Sequence, residues 1–331
     1  MSGKHANISI FVPHIGCPNR CSFCDQRSIT GSHRAPSAED VISAVRCAVT
    51  SRNYDPESTE IAFFGGSFTA IIRNYMMCLL RTAAVFARQG VVRGIRISTR
   101  PDAIDDEILT LLKENCVTSI ELGAQSLDAG VLKMNNRGHS VTDVRRSSEL
   151  IRSYGFELGL QMMTGLYGDS PEKAISTAKR IVALRPETVR IYPTIVLKNT
   201  DLAALYADGK YKPQTFPEAV ELSSRLLEIF ENAGISVIRL GLHSIEPQSY
   251  VAGPWHPAFR ELCEAERYFK RICALLAEPG SYRIYVSPAE ISKAVGQKKH
   301  NTERLENMGF YCRIVPDLTL KKGEIRTERG K

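Results

Sequence analysis

Stretches typical of β-strands and of α-helices alternate about six times in this chain of 331 residues. The strand-like stretches are residues 8–12, 60–64, 94–98, 118–123, 157–163 and 188–192. Stretches with helical spacing lie between them, at residues 38–50, 75–89, 104–114, 141–154 and 171–184. Several of the strand-like stretches are almost continuously apolar, which is typical of parallel strands that are covered by helices. The alternation therefore predicts a parallel sheet, in either an α/β barrel or a doubly wound arrangement.

Two of the predicted helices begin at capping signals. Ser37 is followed three residues later by Asp40, which resembles a capping box, and Ser170 precedes a first-turn proline, Pro171. These signals predict helices that begin at residues 38 and 171.

The pattern becomes less regular after residue 192. Helices are predicted at residues 217–233 and 259–277, with a strand at 235–240 between them. Further on, strands are predicted at residues 282–286 and 310–315, and helices at 288–295 and 302–308. A turn-forming Glu278-Pro279-Gly280 separates this last part from the rest. We therefore predict a main domain over residues 1–278 and a small, basic α/β subdomain over residues 279–331.

The composition, with 43% hydrophobic and 24% charged residues, is that of a folded globular protein. No stretch reaches the roughly 18 apolar residues that a membrane span needs, so we expect a cytoplasmic protein with no membrane partner. The net charge of +7 is concentrated at the end of the chain, where residues 282–331 hold eleven Lys or Arg against six Asp or Glu. Such a basic segment indicates either an anionic partner or an ordinary solvated surface.

The most specific motif is a cluster of three cysteines, Cys17, Cys21 and Cys24, directly after the first predicted strand. Thiolates at such short spacing can bind one face of a 4Fe-4S cluster. Because three ligands leave one iron without a protein partner, the pattern favours a reactive site. The alternative is a structural zinc site in which His14 is the fourth ligand. The remaining cysteines are scattered, and we expect them to be small buried side chains: Cys47, Cys78, Cys116, Cys263, Cys273 and Cys312.

Polar or glycine-rich motifs follow each predicted strand. Gly65-Gly66 follows the second strand, and the later strands end near Ser98, Gln125, Gln161 and Tyr192. The carboxyl ends of parallel barrel strands meet at one face, where active sites are built. We therefore expect one site at this face of an α/β fold, specifically a partial (βα)6 TIM-like barrel with a small C-terminal α/β subdomain.

The cysteine triplet, with Phe23 immediately before its last cysteine, resembles the signature of the radical S-adenosylmethionine superfamily. The resemblance implies a 4Fe-4S cluster whose open iron binds the methionine part of S-adenosylmethionine. It also implies reductive cleavage of S-adenosylmethionine to a 5'-deoxyadenosyl radical, which abstracts hydrogen from a substrate.

Further motifs resemble the radical domain of the Elongator catalytic subunit and its bacterial relatives over roughly residues 8–260. These motifs are residues 136–139 (NRGH), 162–168 (MMTGLYG) and 190–213. The chain differs from that family in the shorter gap between its first two cluster cysteines. The residues after Glu278 are too few for an acetyltransferase domain, so the expectation is a relative with the radical half alone.

The resemblance also implies roles for individual residues. Gly65, Gly66 and Ser67 match contacts to the methionine amino group, while Gln125 and Gln161 match positions near the ribose. Phe23 is implied to lie at the cofactor, and Arg137 to pair with a carboxylate, since a guanidinium suits two oxygens. Candidate catalytic residues are Tyr192 and Lys198. Further candidate substrate-facing residues are Arg239, His243, His256 and Arg260.

Three functions remain open at this point. The first is radical modification of RNA, for instance a transfer-RNA base, which is consistent with the basic residues Lys298, Lys299, Lys321, Lys322, Arg326 and Arg329. The second is radical chemistry on a small metabolite such as a tetrapyrrole. The third is a non-enzymatic Cys3His zinc protein that binds RNA. The enzymatic functions imply an electron donor such as ferredoxin or flavodoxin.

Overall fold

The computed structural model describes residues 6–12, 21–25, 34–242 and 245–330. The chain divides into two compact units. The first consists of Met1–Gln214 and Ile229–Pro254, and the second of Thr215–Glu228 and Trp255–Lys331. The boundary predicted near residue 278 lies inside the second unit and remains a prediction about domains.

The first unit is built on a seven-stranded parallel sheet, curled into a half-barrel, with strand order β1-β2-β3-β4-β5-β6-β8. Its strands are β1 (Ala6–Val12), β2 (Thr59–Gly65), β3 (Gly94–Thr99), β4 (Val117–Gln125), β5 (Glu157–Thr164), β6 (Thr188–Pro193) and β8 (Ser236–Leu240). The expected partial TIM-like α/β barrel is thus confirmed, and the strand predicted at residues 235–240 extends the sheet by one. A separate antiparallel pair consists of β7 (Val196–Leu197) and β9 (Tyr250–Ala252).

Helices connect successive strands, as the alternation predicts. They are α1 (Ala38–Val49), α2 (Arg73–Arg88), α3 (Asp106–Glu114), α4 (Ala129–Met134), α5 (Val141–Ser153), α6 (Pro171–Leu184), α7 (Asp201–Ala207) and α8 (Phe216–Asn232). The capping box at Ser37 and Asp40 is present, and the Ser170 side chain accepts a hydrogen bond from the Lys173 amide. The short helices α4 and α7 were not predicted, because six or seven residues carry little periodicity.

The two faces of the parallel sheet differ in chemistry. One face is aliphatic, and its side chains are buried under the helices; it includes Ile8, Ile61, Ile95, Ile120, Leu158 and Val189. Because successive residues of a strand point to opposite faces, the alternate positions form the inner face of the curled sheet. That inner face is largely polar and includes Glu60, Arg96, Glu121, Gln161, Arg190 and Arg239. The sheet therefore carries a polar concave surface that an ordinary apolar barrel core would not have.

The second unit contains a three-stranded sheet with strand order β11-β10-β12. Its strands are β10 (Gly280–Val286), β11 (Phe310–Pro316) and β12 (Ile325–Arg329), and its helices after α8 are α9 (Phe259–Leu275), α10 (Ile291–Val295) and α11 (His300–Asn307). Strand β10 is parallel to β11 and antiparallel to β12. The helices cover one face of the sheet through a core that includes Tyr268, Ile272, Ile284, Val286 and Leu305. The strands and helices predicted for this segment are confirmed, and β12 is an addition.

The prediction that the scattered cysteines are buried is wrong for Cys47 and Cys78, which are exposed. Both lie on solvent-facing positions of amphipathic helices, α1 and α2. Of the remaining four scattered cysteines, Cys263 is buried, and Cys116, Cys273 and Cys312 are partly buried. Across the described ranges, no helix combines the length and the apolar character that crossing a membrane requires.

Candidate functional site

The cysteine motif forms a tight turn in the part of it that the structure describes. The Cys24 amide donates a hydrogen bond to the Cys21 carbonyl at 3.1 Å, and both side chains are partly buried. Cys17 and the alternative ligand His14 lie outside the described residues. The structure therefore describes two of the three proposed cysteine ligands, Cys21 and Cys24. Within residues 21–25, 34–242 and 245–330, no group of three metal-ligating side chains occurs elsewhere.

Hydrogen bonds from two other elements hold the cysteine turn in place. Ser22 donates to Asn135 from its amide, at 3.2 Å, and from its hydroxyl, at 2.8 Å. The Leu202 amide at the start of α7 donates to the Ser22 carbonyl at 2.8 Å. Phe23 packs against a small buried cluster, which consists of Val196, Leu202 and Tyr211. The turn is therefore attached to the carboxyl-terminal side of the half-barrel, and Phe23, predicted to lie at the cofactor, is part of that attachment.

Arg137 is the residue that links the cysteine turn to the sheet. Its Nη1 donates to Cys21 Sγ at 3.1 Å, and its Nη2 donates to the Gly123 carbonyl at 2.6 Å, near the end of β4. This hydrogen bond fixes the position of the Cys21 sulfur relative to the end of β4. Arg137 Nε is buried and has no hydrogen-bond partner among the described residues. The arginine thus has one buried donor still available, which is compatible with its predicted role toward a carboxylate.

His139 supports the Arg137 side chain. Its Nδ1 lies 3.3 Å from Arg137 Nη2, and its Nε2 lies 3.2 Å from the Ala124 carbonyl. Burial, and after it the positive charge of Arg137, lower the pKa of His139 to about 4. The ring is therefore neutral near pH 7, with Nε2 donating to the carbonyl and Nδ1 accepting from the guanidinium.

The neutral His139 predicts a pH-dependent stability. Its pKa is lower in the folded chain than the ordinary value of 6.5. As the pH falls, His139 is protonated in the unfolded chain before it is protonated in the folded chain. The folded chain therefore loses stability as the pH falls below 6.5. Between pH 7 and pH 5 we expect the wild type to lose about 2 kcal/mol more than His139→Gln, which cannot titrate. Urea unfolding at both pH values checks this, and parallel losses in the two proteins would contradict it.

The glycine pair lies against the end of β1. Gly65 has φ +110°, and a Cβ placed there would lie 2.4 Å from the Val12 carbonyl oxygen. The Gly66 amide donates to the same oxygen at 2.8 Å. Ser67 is buried, and its hydroxyl bonds to Thr99 Oγ1 at 2.9 Å. Gly65 thus requires the absence of a side chain, the Gly66 amide ties the turn to β1, and the Ser67 hydroxyl holds it against β3.

Gly65→Ala is expected to destabilise the chain by at least about 2 kcal/mol, because it adds left-handed strain to a backbone clash. Gly90 offers a matched control. It also has a positive φ, of +69°, but a Cβ there meets nothing within 4 Å. Gly90→Ala should therefore cost only about 1 kcal/mol. Thermal or urea unfolding measures both, and equal effects would show that the contact with Val12 imposes no constraint.

Buried polar atoms without hydrogen-bond partners occur at the same end of the sheet, among the residues that the structure describes. Gln125 at the end of β4 has φ +61°, and its Oε1 is one of these atoms. The hydroxyls of Ser98 on β3 and of Thr194 just after β6 are two others. Each such group costs about 1–3 kcal/mol when it stays unpaired. Three of them, at the carboxyl-terminal ends of β3, β4 and β6, fit a site whose polar ligand completes the hydrogen bonds.

A network of buried charges lies on the inner face below this end. Glu121 accepts hydrogen bonds from Arg190 Nε at 2.7 Å and Arg190 Nη2 at 2.9 Å. It also accepts one from Gln161 at 3.0 Å. Arg96 bonds to Glu60 at 2.8 Å and lies 3.4 Å from Glu121. The predicted ribose contact Gln161 is thus held by Glu121, which the sequence analysis did not single out. The sequence does contain an indication of this network, because single charged residues interrupt the apolar strands at inner-face positions.

The candidate catalytic residues differ in their surroundings. Tyr192 is partly buried on the inner face, hydrogen-bonded to Arg190; burial raises the pKa of its phenol although Arg190 opposes the shift. Lys198 follows β7, and its side chain is exposed. Arg239 lies opposite Arg190 in the sheet, and its Nε donates to the Gly241 carbonyl at 2.9 Å. The structure therefore brings Tyr192 and Arg239 to the inner face but not Lys198.

The other predicted substrate-facing residues lie elsewhere. His256 and Arg260 belong to the second unit, where His256 Nδ1 accepts a hydrogen bond from the Ala258 amide and Arg260 pairs with Glu264 at 3.0 Å. His243 lies outside the described residues. The roles of these residues remain predictions.

Two aromatic rings that the sequence analysis missed complete the inner face. The rings of Phe11 and Phe64 lie 6.3 Å apart, at the carboxyl ends of β1 and β2. Phe11 is 39% exposed, and the Arg190 guanidinium lies 5.0 Å from the Phe64 ring centre. The inner face thus offers an accessible aromatic surface next to a positive charge.

Comparisons with known proteins identify families and relatives that this chain resembles. Residues 11–181 match the family described as the radical SAM superfamily, and residues 186–271 match a radical SAM C-terminal domain. A tRNA uridine(34) acetyltransferase of Dehalococcoides mccartyi is 25% identical over 62% of this chain and 52% of that protein. Elongator complex protein 3 of Homo sapiens is 29% identical over 52% of this chain and 35% of that protein. The chain thus spans about half, or less, of the length of these two curated relatives.

Solved structures show a similar fold. The archaeal Elp3 of Methanocaldococcus infernus aligns with a TM-score of 0.64 at 20% identity, over 81% of this chain and 64% of that one. Methylornithine synthase aligns with a TM-score of 0.51 at 15% identity, over 74% of this chain and 75% of that one. At such identities the likeness concerns the fold alone.

Proposed function

The chain belongs to the radical S-adenosylmethionine superfamily, whose members use a 4Fe-4S cluster and S-adenosylmethionine, and we propose on that premise that it cleaves S-adenosylmethionine reductively. Cys17, Cys21 and Cys24 would hold the cluster. When bound, the reduced cluster supplies the electron for that cleavage. An external donor such as ferredoxin or flavodoxin would provide the electron, and the cytoplasm is the proposed location.

The observation that carries this proposal is the contact between Arg137 and Cys21, at the end of β4. The donor set is thiolate, which iron–sulfur clusters require. The guanidinium donates to the sulfur at 3.1 Å, which holds Cys21 beside the carboxyl-terminal end of the sheet. The buried Arg137 Nε and Gln125 Oε1 are unpaired among the described residues, so both can serve a polar ligand beside the cysteines.

The neighbouring residues are proposed to bind and orient S-adenosylmethionine. Gly65 and Gly66 let its amino group approach the backbone, and Ser67 holds that turn through Thr99. Gln125 and Gln161 would contact the ribose side, with Gln161 oriented by Glu121. Phe23 keeps the cysteine turn against the β7–α7 region.

We further propose that the substrate is a base of transfer RNA. Support comes from the printed names of the relatives, tRNA uridine(34) acetyltransferase and Elongator complex protein 3. The inner face adds a physical argument, since Phe11 and Phe64 can stack on a planar ring. Tyr192 and Arg239 lie on the same face as candidate substrate contacts.

The test is anaerobic purification, reconstitution with iron and sulfide, and reduction with dithionite in the presence of S-adenosylmethionine. We expect a brown protein that forms 5'-deoxyadenosine, and faster formation when transfer RNA is added. A colourless protein with one zinc ion per chain would contradict the cluster and support the zinc alternative. Formation of 5'-deoxyadenosine that responds to a metabolite extract but not to transfer RNA would contradict the RNA substrate.

A further inference from the structure

One face of the sheet in the second unit is exposed and carries arginines and tyrosines. Along β10, Tyr282, Ile284 and Val286 point to the opposite face of the sheet and are buried against the helices. The alternate residues point the other way, and Arg283, Arg313 and Arg326 are exposed there. Two tyrosines accompany them: Tyr311 is 59% exposed, and Tyr285 is partly buried. We call Arg283, Tyr285, Tyr311, Arg313 and Arg326 the Tyr–Arg face.

Two arginines lie side by side on neighbouring strands of this face. Arg283 on β10 lies directly opposite Arg313 on β11 and, on its other side, opposite Glu328 on β12. Like charges at opposed positions destabilise a sheet. Neither guanidinium has a hydrogen-bond or ion-pair partner within residues 245–330 or the other described ranges. An anionic ligand above the two arginines would lower the repulsion between them.

Along the strand direction, the two tyrosines lie on either side of the arginine pair. Tyr311 lies opposite Ser281, and Tyr285 lies four residues further along β10. Strand geometry then separates the two rings by about 14 Å across the sheet. Tyr285 is stacked by Arg326, whose guanidinium lies 4.0 Å from the ring centre, and its hydroxyl donates to Glu328 at 2.8 Å. Arg326 also pairs with Asp317 at 2.9 Å, so this end of the face is held rigid.

We propose that the Tyr–Arg face binds single-stranded RNA, and this assignment deepens the RNA substrate proposed above. Single-stranded nucleic acids are bound by aromatic rings that stack bases and by basic side chains that contact phosphates. The exposed Tyr311 ring supplies a stacking surface, and Arg283 and Arg313 supply the positive charge. A duplex offers no unstacked base to Tyr311, so the face should prefer a single strand.

The experiment measures binding of the full chain to a fluorescein-labelled oligo(U) of twelve nucleotides by fluorescence anisotropy at low salt. We expect Tyr311→Ala/Arg313→Ala to weaken binding at least about tenfold, because a stacked base and a phosphate contact are both lost. Tyr311→Phe should retain wild-type affinity, since stacking does not need the hydroxyl. A double-stranded oligonucleotide of the same length should bind more weakly than the single strand.

The matched control is Arg81→Ala/Val85→Ala, which also removes an exposed arginine and an exposed apolar side chain, on α2. It should bind oligo(U) like the wild type. Unchanged affinity in Tyr311→Ala/Arg313→Ala, or equal loss in the control, would overturn the proposal. Failure of the reconstituted enzyme to form 5'-deoxyadenosine, with oligo(U) binding still dependent on Tyr311 and Arg313, would contradict the proposed function while leaving this surface in place.

Discussion

Replacing Cys21 with alanine is expected to abolish S-adenosylmethionine cleavage by the reconstituted protein and to remove its broad visible absorbance. Cys21 is one of three proposed thiolate ligands, and its sulfur accepts the Arg137 hydrogen bond. Two remaining thiolates cannot hold a cluster that needs three protein ligands. Iron content, the absorbance spectrum and the yield of 5'-deoxyadenosine measure the effect.

The chain contains its own matched controls, Cys47 and Cys78, which are exposed on α1 and α2. Cys47→Ala and Cys78→Ala should keep the iron content and the cleavage rate of the wild type. If Cys21→Ala kept a full complement of iron and formed 5'-deoxyadenosine normally, the proposed ligand set would be wrong.

The second large effect concerns stability. We expect Glu121→Gln to destabilise the chain by about 3–5 kcal/mol, the usual result of removing one partner of a buried ion pair. Glu121 is 1% exposed and accepts hydrogen bonds from Arg190 and Gln161. Its loss leaves the buried Arg190 without its carboxylate partner, whereas Arg96 keeps Glu60. Urea unfolding followed by circular dichroism measures the change.

Glu149→Gln is the control for this substitution, because Glu149 is exposed on α5. It should change stability by less than about 0.5 kcal/mol. Burial acts to raise the pKa of Glu121, but the charge and hydrogen bonds of Arg190, with Arg96, hold it below its ordinary value. The stabilisation by Glu121 is therefore complete above pH 4.5 and is lost only as the pH falls below that value. A loss below 1 kcal/mol for Glu121→Gln would mean that Arg96 and Arg190 re-pair elsewhere.

Local chemistry made much of the fold predictable. The six strand-helix units follow from apolar runs and helical spacing, and the helix that begins at residue 38 follows from the capping box at Ser37 and Asp40. Short elements were missed, among them α4, α7 and β12, because a few residues do not establish a period. The exposure of Cys47 and Cys78 was also not predicted, because the residue type alone does not indicate which face of a helix a cysteine occupies.

The candidate site residues were proposed from residue types that carry the chemistry themselves, and their roles remain predictions. Cys21 and Cys24 were proposed from their spacing, and Gly65 from its place at the end of a strand. Lys198 was selected by its position in a loop, and the structure exposes it to solvent. Nothing in the local sequence distinguishes a loop lysine that faces a site from one that faces water.

The sequence by itself determined the parallel α/β architecture and the cysteine motif, because both depend on residues that are close along the chain. Only the tertiary structure placed Arg137 against Cys21, 116 positions away, and joined Glu121 to Arg190 across neighbouring strands. Those pairings depend on strand register and on the curl of the sheet, which bring distant residues together. The same reason explains why the Tyr–Arg face appeared only in three dimensions: its members come from three strands, and their common direction is a property of the folded sheet.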